Sequence, residues 1–280
     1  MKKTTPPRWL TDSAALAPTS PLLPSASLHA LPEELDKTQH WGAAWLERLR
    51  AERVVAVIQA PTVRAGLAMA GLAVSAGIRL LEVTLTSDRP FFLVEQLRQR
   101  WPDCQVGVGT VLSVNQFEEA IAAGAQFGFS PVSDARILEL AFRSSIPFMA
   151  GALTPNEIWQ AWQSGATAVK VFPASALGGP RYLRNLRAPL GQIPLVPTGG
   201  LTLENATEFI EAGATAVCLG GALFPRQLVA ERQWSAIAQR AAGLMERLRA
   251  CQSQLAYGRT NELGCPSEPD VLRDDSEIRL

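Results

Sequence analysis

Two ionisable residues interrupt apolar, strand-like runs. Lys170 sits in Ala166-Thr167-Ala168-Val169-Lys170-Val171-Phe172-Pro173, and Glu82 in Leu80-Leu81-Glu82-Val83-Thr84. Past residue 37, Lys170 is the one lysine against 21 arginines. An ammonium in an apolar strand is costly unless it is paired or loses its proton. A neutral lysine amine attacks ketone carbon, and the protonated nitrogen of the resulting Schiff base draws electrons toward itself. Such chemistry needs a proton shuttle. Glu82 is the carboxylate embedded in an apolar strand, where burial moves its proton affinity toward a useful range.

Further polar or glycine-rich departures follow other apolar runs. Thr110 follows Gly107-Val108-Gly109, and Ser130-Pro131 follow Gln126-Phe127-Gly128-Phe129. Thr198-Gly199-Gly200 and Gly220-Gly221 close two more runs. Backbone N–H groups at such glycine pairs can cradle a phosphate, because glycine lets the chain approach closely. Thr110 and Thr198 bring hydroxyl donors for a substrate carboxylate or hydroxyl. Singly, each has a plainer reading: a paired glutamate, a turn, a snorkelling lysine. Jointly they matter only if the fold brings them to one place.

Short apolar strands are predicted at about 53–58, 78–84, 104–109, 126–129, 146–150, 167–172, 193–197 and 215–219. Helical stretches alternate with them. Their starts are marked by Thr62, Ser113, Ser133, Thr154-Pro155 and Thr202, types that cap helix N-termini. Gly77, Gly124, Gly165 and Gly213 stand where helices should end. Eight strand–helix units predict a (β/α)8 TIM barrel of the α/β class, with active-site groups at the C-terminal ends of the strands. An open doubly wound sheet rarely needs eight near-equal units. An extra N-terminal helix is expected from about Trp41 to Arg50, and a last helix from Gln233 to Gln252. The expected organisation is a Pro/Ser-rich flexible tail at 1–38, a barrel at 39–252 and a polar flexible tail at 253–280.

Composition removes other classes. The formal charge is +0, which gives no reason to expect nucleic acid or an acidic membrane surface as partner. No uncharged apolar stretch reaches the roughly 18 residues of a membrane span. Cys104, Cys218, Cys251 and Cys265 lack CxxC spacing, so neither a zinc site nor a disulfide framework is indicated. Both histidines, His29 and His40, precede the barrel, which argues against a His-ligated metal or a His base. No metal and no cofactor are expected. The expected location is the cytoplasm; residues 1–31, with one acid and three basic residues, are also compatible with a transit peptide.

The motifs resemble the bacterial 2-keto-3-deoxy-6-phosphogluconate (KDPG) / 4-hydroxy-2-oxoglutarate (KHG) aldolase family. The matching segments are Glu82-Val83-Thr84-Leu85, Val108-Gly109-Thr110-Val111-Leu112, Ser130-Pro131, Val169-Lys170-Val171-Phe172-Pro173-Ala174, Pro197-Thr198-Gly199-Gly200 and Leu219-Gly220-Gly221-Ala222-Leu223. They run in family order over about residues 45–245. The resemblance implies a metal-free, homotrimeric class I aldolase with a (β/α)8 barrel. It implies Lys170 as the Schiff-base lysine and Glu82 as the proton-transfer group. Thr110, Pro131 and Thr198 become substrate contacts, Phe172 a pocket wall, and Gly199, Gly200, Gly220 and Gly221 the phosphate cradle. The implied reaction is retro-aldol cleavage of a sugar acid phosphate to pyruvate and glyceraldehyde 3-phosphate, or of the KHG substrate to pyruvate and glyoxylate.

One departure bears on the substrate. Family members usually carry an arginine for the substrate carboxylate, either at the end of strand one or just after Glu-Val-Thr-Leu. Here those substrate-binding positions are Gln59 and Thr86, and neither forms a bidentate charged pair. The loss is worth about 1.5–3 kcal/mol of binding, roughly ten- to a hundredfold. Arg89 and Arg181, in neighbouring loops, are the candidate replacements. The missing arginines motivate an alternative, a non-catalytic relative that binds a sugar acid. The paired glycines motivate another, a phosphate-binding barrel isomerase without a Schiff base.

Overall fold

In a computed structural model of the protein, residues 35–262 are described. The readings made for 1–34 and 263–280, His29 and Cys265 included, lie outside the described residues. The chain opens with α1 (Leu35–Glu52) and then alternates β1 (Val54–Ile58), α2 (Val63–Ala76), β2 (Leu80–Thr84), α3 (Pro90–Arg100), β3 (Gln105–Gly109) and α4 (Val114–Ala122). It continues through β4 (Gly128–Phe129), α5 (Ala135–Arg143), β5 (Phe148–Ala152), α6 (Pro155–Gln163), β6 (Ala168–Val171) and a 3-10 turn at Ala174–Leu177. It ends with α7 (Pro180–Arg187), β7 (Leu195–Pro197), α8 (Ala206–Glu211), β8 (Val217–Leu219), α9 (Arg226–Ala230) and α10 (Trp234–Glu262).

All strand pairings are parallel, and β8 pairs back onto β1. The ring closes between β7 and β8 through a parallel bridge of Thr198 with Cys218 and a bond from the Thr215 N–H to the Leu195 carbonyl at 2.9 Å. The architecture is the expected (β/α)8 barrel. Among the described residues closure leaves no sheet edge, and both strand faces are buried, which is why the strands read as near-continuous apolar runs.

The local signals do most of what they promise. Thr62, Ser113 and Thr154 each accept an N–H from the first turn of their helices, and Thr154 with Glu157 forms a reciprocal capping box. Gly77, Gly124, Gly165 and Gly213 all take positive φ after their helices. Several strands start about two residues later than expected, and the helix boundaries differ as follows. Asp134, not Ser133, caps α5 with its carboxylate. Thr202 instead holds a turn, accepting the N–H groups of Glu204 and Asn205, so α8 starts only at Ala206. Helix α1 begins at Leu35, and α10 continues to Glu262, because no proline interrupts either extension. The short α9 has no counterpart in the sequence reading.

The barrel interior is built in layers. At the N-terminal end, Val55, Leu80, Phe127, Met149, Ala168, Val196 and Ala216 form an apolar cluster. Helix α1 closes that end: Trp45 and Leu49 join the same cluster, and the Trp45 ring lies 4.6 Å from that of Phe127. Side chains on one face of a strand recur every second residue. Two residues on from Leu80, Ala168 and Val196 stand Glu82, Lys170 and Thr198. The same interior face thus changes from apolar to polar toward the C-terminal rim. Trp45→Ala should open the apolar end and lower stability by about 3–5 kcal/mol, read as a fall in the urea midpoint at constant m-value.

Candidate active site

Lys170 is 5% exposed and Glu82 1%, in a barrel whose interior is otherwise nearly all apolar. They come from opposite sides of the ring, yet Lys170 Nζ lies 4.0 Å from Glu82 Oε1. Aromatic faces enclose the ammonium, with the ring centroids of Phe129 at 5.6 Å and Phe172 at 5.5 Å. Burial pushes the Glu82 carboxyl above its ordinary value, and the nearby Lys170 charge partly opposes that rise. The native state therefore holds this proton more tightly than the unfolded chain. Its contribution to stability is complete below the ordinary glutamate range and declines as pH rises through the elevated one.

The space around the pair is reserved by backbone as much as by side chains. Thr84 pairs with Gly109 between β2 and β3. A Cβ on Gly109 would lie 1.7 Å from Glu82 Oε1, so only glycine leaves room for the carboxylate. The next residue, Thr110, has φ 63, an uncommon conformation for a β-branched side chain that costs about 1–3 kcal/mol. Neighbouring ladder bonds hold it there: the Leu85 N–H donates to the Gly109 carbonyl, and the Val111 N–H to Phe129. Gly199 and Gly200 also take positive φ, at 86 and 78. A Cβ on Gly200 would strike the Ser175 hydroxyl at 1.8 Å.

These groups share one cavity of about 670 Å3 at the C-terminal rim. Lys170, Glu82, Thr110, Pro131, Phe172 and Thr198 line it. So do Gly199, Gly200, Gly220 and Gly221, together with Gln59 and Thr86. The structure therefore brings all twelve of these sequence-predicted site residues to a single cavity. The expected stand-ins for the missing arginine do not reach it. Arg89 caps α3 and stacks over the Phe92 ring at 4.4 Å, and Arg181 lies in the first turn of α7; neither is on the cavity wall.

On the wall, buried Glu82 Oε2 has no hydrogen-bond partner, and buried Thr198 Oγ1 has none beyond the weakly bonding Cys218 thiol beside it. Buried polar groups are nearly always paired, so an unpaired acceptor and hydroxyl facing a cavity are set for a polar ligand. Gln59 and Thr86 are bonded to each other instead: Gln59 Nε2 donates to Thr86 Oγ1 at 3.0 Å, and Thr86 lies 3.0 Å from the Thr84 hydroxyl. Sequence reasoning misses Thr84, Cys218 and Arg226, which also line the cavity. Thr84 and Cys218 were accessible in principle, because they lie at even spacing from Glu82 and Gly220 on inward-facing strands. Burial pushes the Cys218 thiol up, which keeps it protonated and inert.

The model of the KDPG and KHG aldolase family matches residues 46–240. A 2-dehydro-3-deoxy-phosphogluconate aldolase of Treponema pallidum is 33% identical over 191 residues, 68% of this chain and 91% of its own length. The KHG/KDPG aldolase of Escherichia coli K12 is 32% identical over 183 residues, 65% of this chain and 85% of its own. Among solved structures, a KDPG aldolase from Legionella pneumophila with pyruvate captured as a covalent carbinolamine intermediate superposes with a TM-score of 0.66. It is 29% identical, and the match covers 73% of this chain and 97% of that one. A family match across the barrel, joined to relatives aligned over most of their own length, means that this chain belongs to the KDPG and KHG aldolase family.

Proposed function

We propose that the protein is a class I aldolase that cleaves 2-keto-3-deoxy-6-phosphogluconate, or the shorter 4-hydroxy-2-oxoglutarate, through a Schiff base on Lys170. The observation that carries this reading is the buried Lys170–Glu82 pair at 4.0 Å on the wall of a 670 Å3 cavity. The amine of Lys170 adds to the C2 ketone, and loss of water from the carbinolamine gives an iminium. Glu82 as carboxylate takes the C4 hydroxyl proton. The C3–C4 bond then breaks, its electron pair moves to the iminium nitrogen, and the aldehyde leaves. Glu82 returns its proton to C3 of the enamine, and water releases pyruvate and the free amine. Phe129 and Phe172 keep bulk water from the nitrogen, and Thr198 Oγ1 is an available donor for a substrate oxygen. Gly199, Gly200, Gly220 and Gly221 leave the backbone open to the phosphate.

We take the chain to work as a homotrimer, as the resemblance implies, with exposed Leu112, Val132 and Trp159 offering apolar surface. The described cysteines are buried and free, which suits a reducing compartment, and we place the enzyme in the cytoplasm.

Pyruvate with borohydride should add irreversible mass at Lys170, located by peptide mass spectrometry. Lys170→Arg should lose the adduct and nearly all cleavage. An unlabelled wild type refutes the Schiff-base reading, and an active Lys170→Arg favours the isomerase alternative.

The elevated Glu82 proton affinity predicts the acid limb of the rate profile. Cleavage needs the carboxylate, so kcat should fall on acidification with a midpoint above the ordinary glutamate value of 4.5. Glu82→Gln should erase that limb and lower kcat by about 10²–10⁴-fold.

Gly109→Ala should displace the Glu82 carboxylate while leaving Lys170 in place. The expected outcome is a loss of cleavage of at least about tenfold with pyruvate trapping at Lys170 retained.

A further inference from the structure

Arg240 stands on α10, outside the barrel, and does not line the cavity that holds Lys170 and Glu82. Its guanidinium reaches the segment that follows β8. Nε donates to the Ala222 carbonyl at 3.0 Å, and Nη2 donates to the same oxygen at 2.7 Å. Ala222, with Gly220 and Gly221, lines the cavity. On its other side Arg240 borders a surface groove of about 350 Å3, which Glu204 also lines. Yet among the described residues no ion pair engages Arg240. The guanidinium is committed to a neutral carbonyl although a carboxylate shares its groove.

That carbonyl belongs to a stretch with little else to brace it. A Cβ on Gly221 would meet nothing within 4 Å, and one on Gly220 would meet Val57 only at ordinary contact distance. The turn is anchored at its far end. Leu223 and Phe224 are buried there, and their N–H groups donate to the Gly220 carbonyl at 2.9 and 2.8 Å. The C=O and N–H of a trans peptide point in opposite directions. In the Ala222–Leu223 peptide the N–H is bonded to Gly220 and the C=O to Arg240. With both ends bonded, the plane cannot turn without breaking a bond. Without Arg240 one end is released, and the Gly221 backbone before it follows.

We propose, resting on the aldolase reading above, that Arg240 is a positioning residue for that reaction. It touches no substrate. From outside the barrel it locks the Ala222 peptide and so holds the Gly220–Ala222 backbone in place as cavity wall. Two charge-assisted bonds to one oxygen fix direction as well as distance. A displacement of about 1 Å in a positioning group is enough to cost binding and rate. Lys170 lies on β6 and shares no hydrogen bond with this segment, so its attack on a ketone does not depend on Arg240. The bland alternative is that Arg240 only ties α10 to the barrel and contributes stability.

Arg240→Met tests this, because it keeps the packing of the stem and removes both donors. KM for 2-keto-3-deoxy-6-phosphogluconate should rise about tenfold with kcat little moved. Borohydride trapping at saturating pyruvate should still label Lys170 fully. Amide hydrogen exchange across residues 217–224 should quicken. Arg240→Lys should show an intermediate KM, since an ammonium keeps the charge and loses the fork, and it carries the comparison if Arg240→Met does not fold. The groove beside Arg240 is open to solvent, so guanidinium chloride well below denaturing strength should lower the KM of Arg240→Met. Sodium chloride at equal ionic strength should not. A lowered thermal midpoint with KM unchanged overturns the proposal in favour of the purely stabilising role. A raised KM that neither Arg240→Lys nor guanidinium relieves overturns it too, since the effect then does not run through the donors. A wild type that forms no pyruvate adduct refutes the aldolase reading itself.

Discussion

The structure depends on keeping one ammonium and one carboxylate inside a barrel otherwise filled with hydrocarbon. Removing two charges from water costs several kcal/mol each, and their mutual attraction returns that only with good geometry and additional hydrogen bonds. Here the pair is 4.0 Å apart and one carboxylate oxygen has no partner. The interaction is incompletely satisfied, so the rest of the barrel must be stable enough to tolerate it. That requirement explains the layered interior. The N-terminal half is apolar and aromatic, plugged by Trp45 and Leu49, and the unpaired Glu82 oxygen lies at the other end, where a ligand can complete its bonds.

Strand geometry turns that division into a sequence pattern. With a period of two, each of three interior-facing rows runs from an apolar residue to a polar one: Leu80 to Glu82, Ala168 to Lys170, Val196 to Thr198. A single-residue slip of register would exchange the interior and exterior rows. The pairings Val57–Glu82 and Gly151–Lys170 therefore fix the buried ion pair as well as the sheet. Gly109 belongs to the same device, since its missing Cβ is the space the carboxylate occupies.

Much of this was legible because strands are local. An ionisable residue in an apolar run, a helix cap, and a glycine at a helix end each declare themselves within a few residues. Glu82, Lys170 and the two glycine pairs could be placed at one rim from chain order alone. Loop-borne features were less visible. Helix α9 is five residues long, too short for an amphipathic period, so Arg226 carried no signal beyond its charge. Arg89 and Arg181 had equal claims on that evidence, and only the fold shows that Arg89 turns onto Phe92 and that neither lines the cavity. The left-handed backbone of Thr110 was hidden for a related reason: β-branched residues avoid that region, and only the surrounding ladder enforces it.

Strand-borne and loop-borne groups also divide the work. Lys170 and Glu82 sit on strands, where the hydrogen-bonded ladder fixes them. The glycine pairs on the loops after β7 and β8, with Arg226, line the same cavity farther out. A charge on a loop can be relocated without disturbing the core, since surface segments tolerate change far better than buried strands. Gln59 and Thr86 fit this logic. With no arginine at the ends of β1 and β2, they close the gap by bonding to each other, and a long cationic side chain from the segment after β8 borders the same space. The buried pair is thereby tied to the barrel interior, and the charge at the cavity mouth to its rim. The two can change independently because Lys170 and Glu82 share no hydrogen bond with Gln59, Thr86 or Arg226.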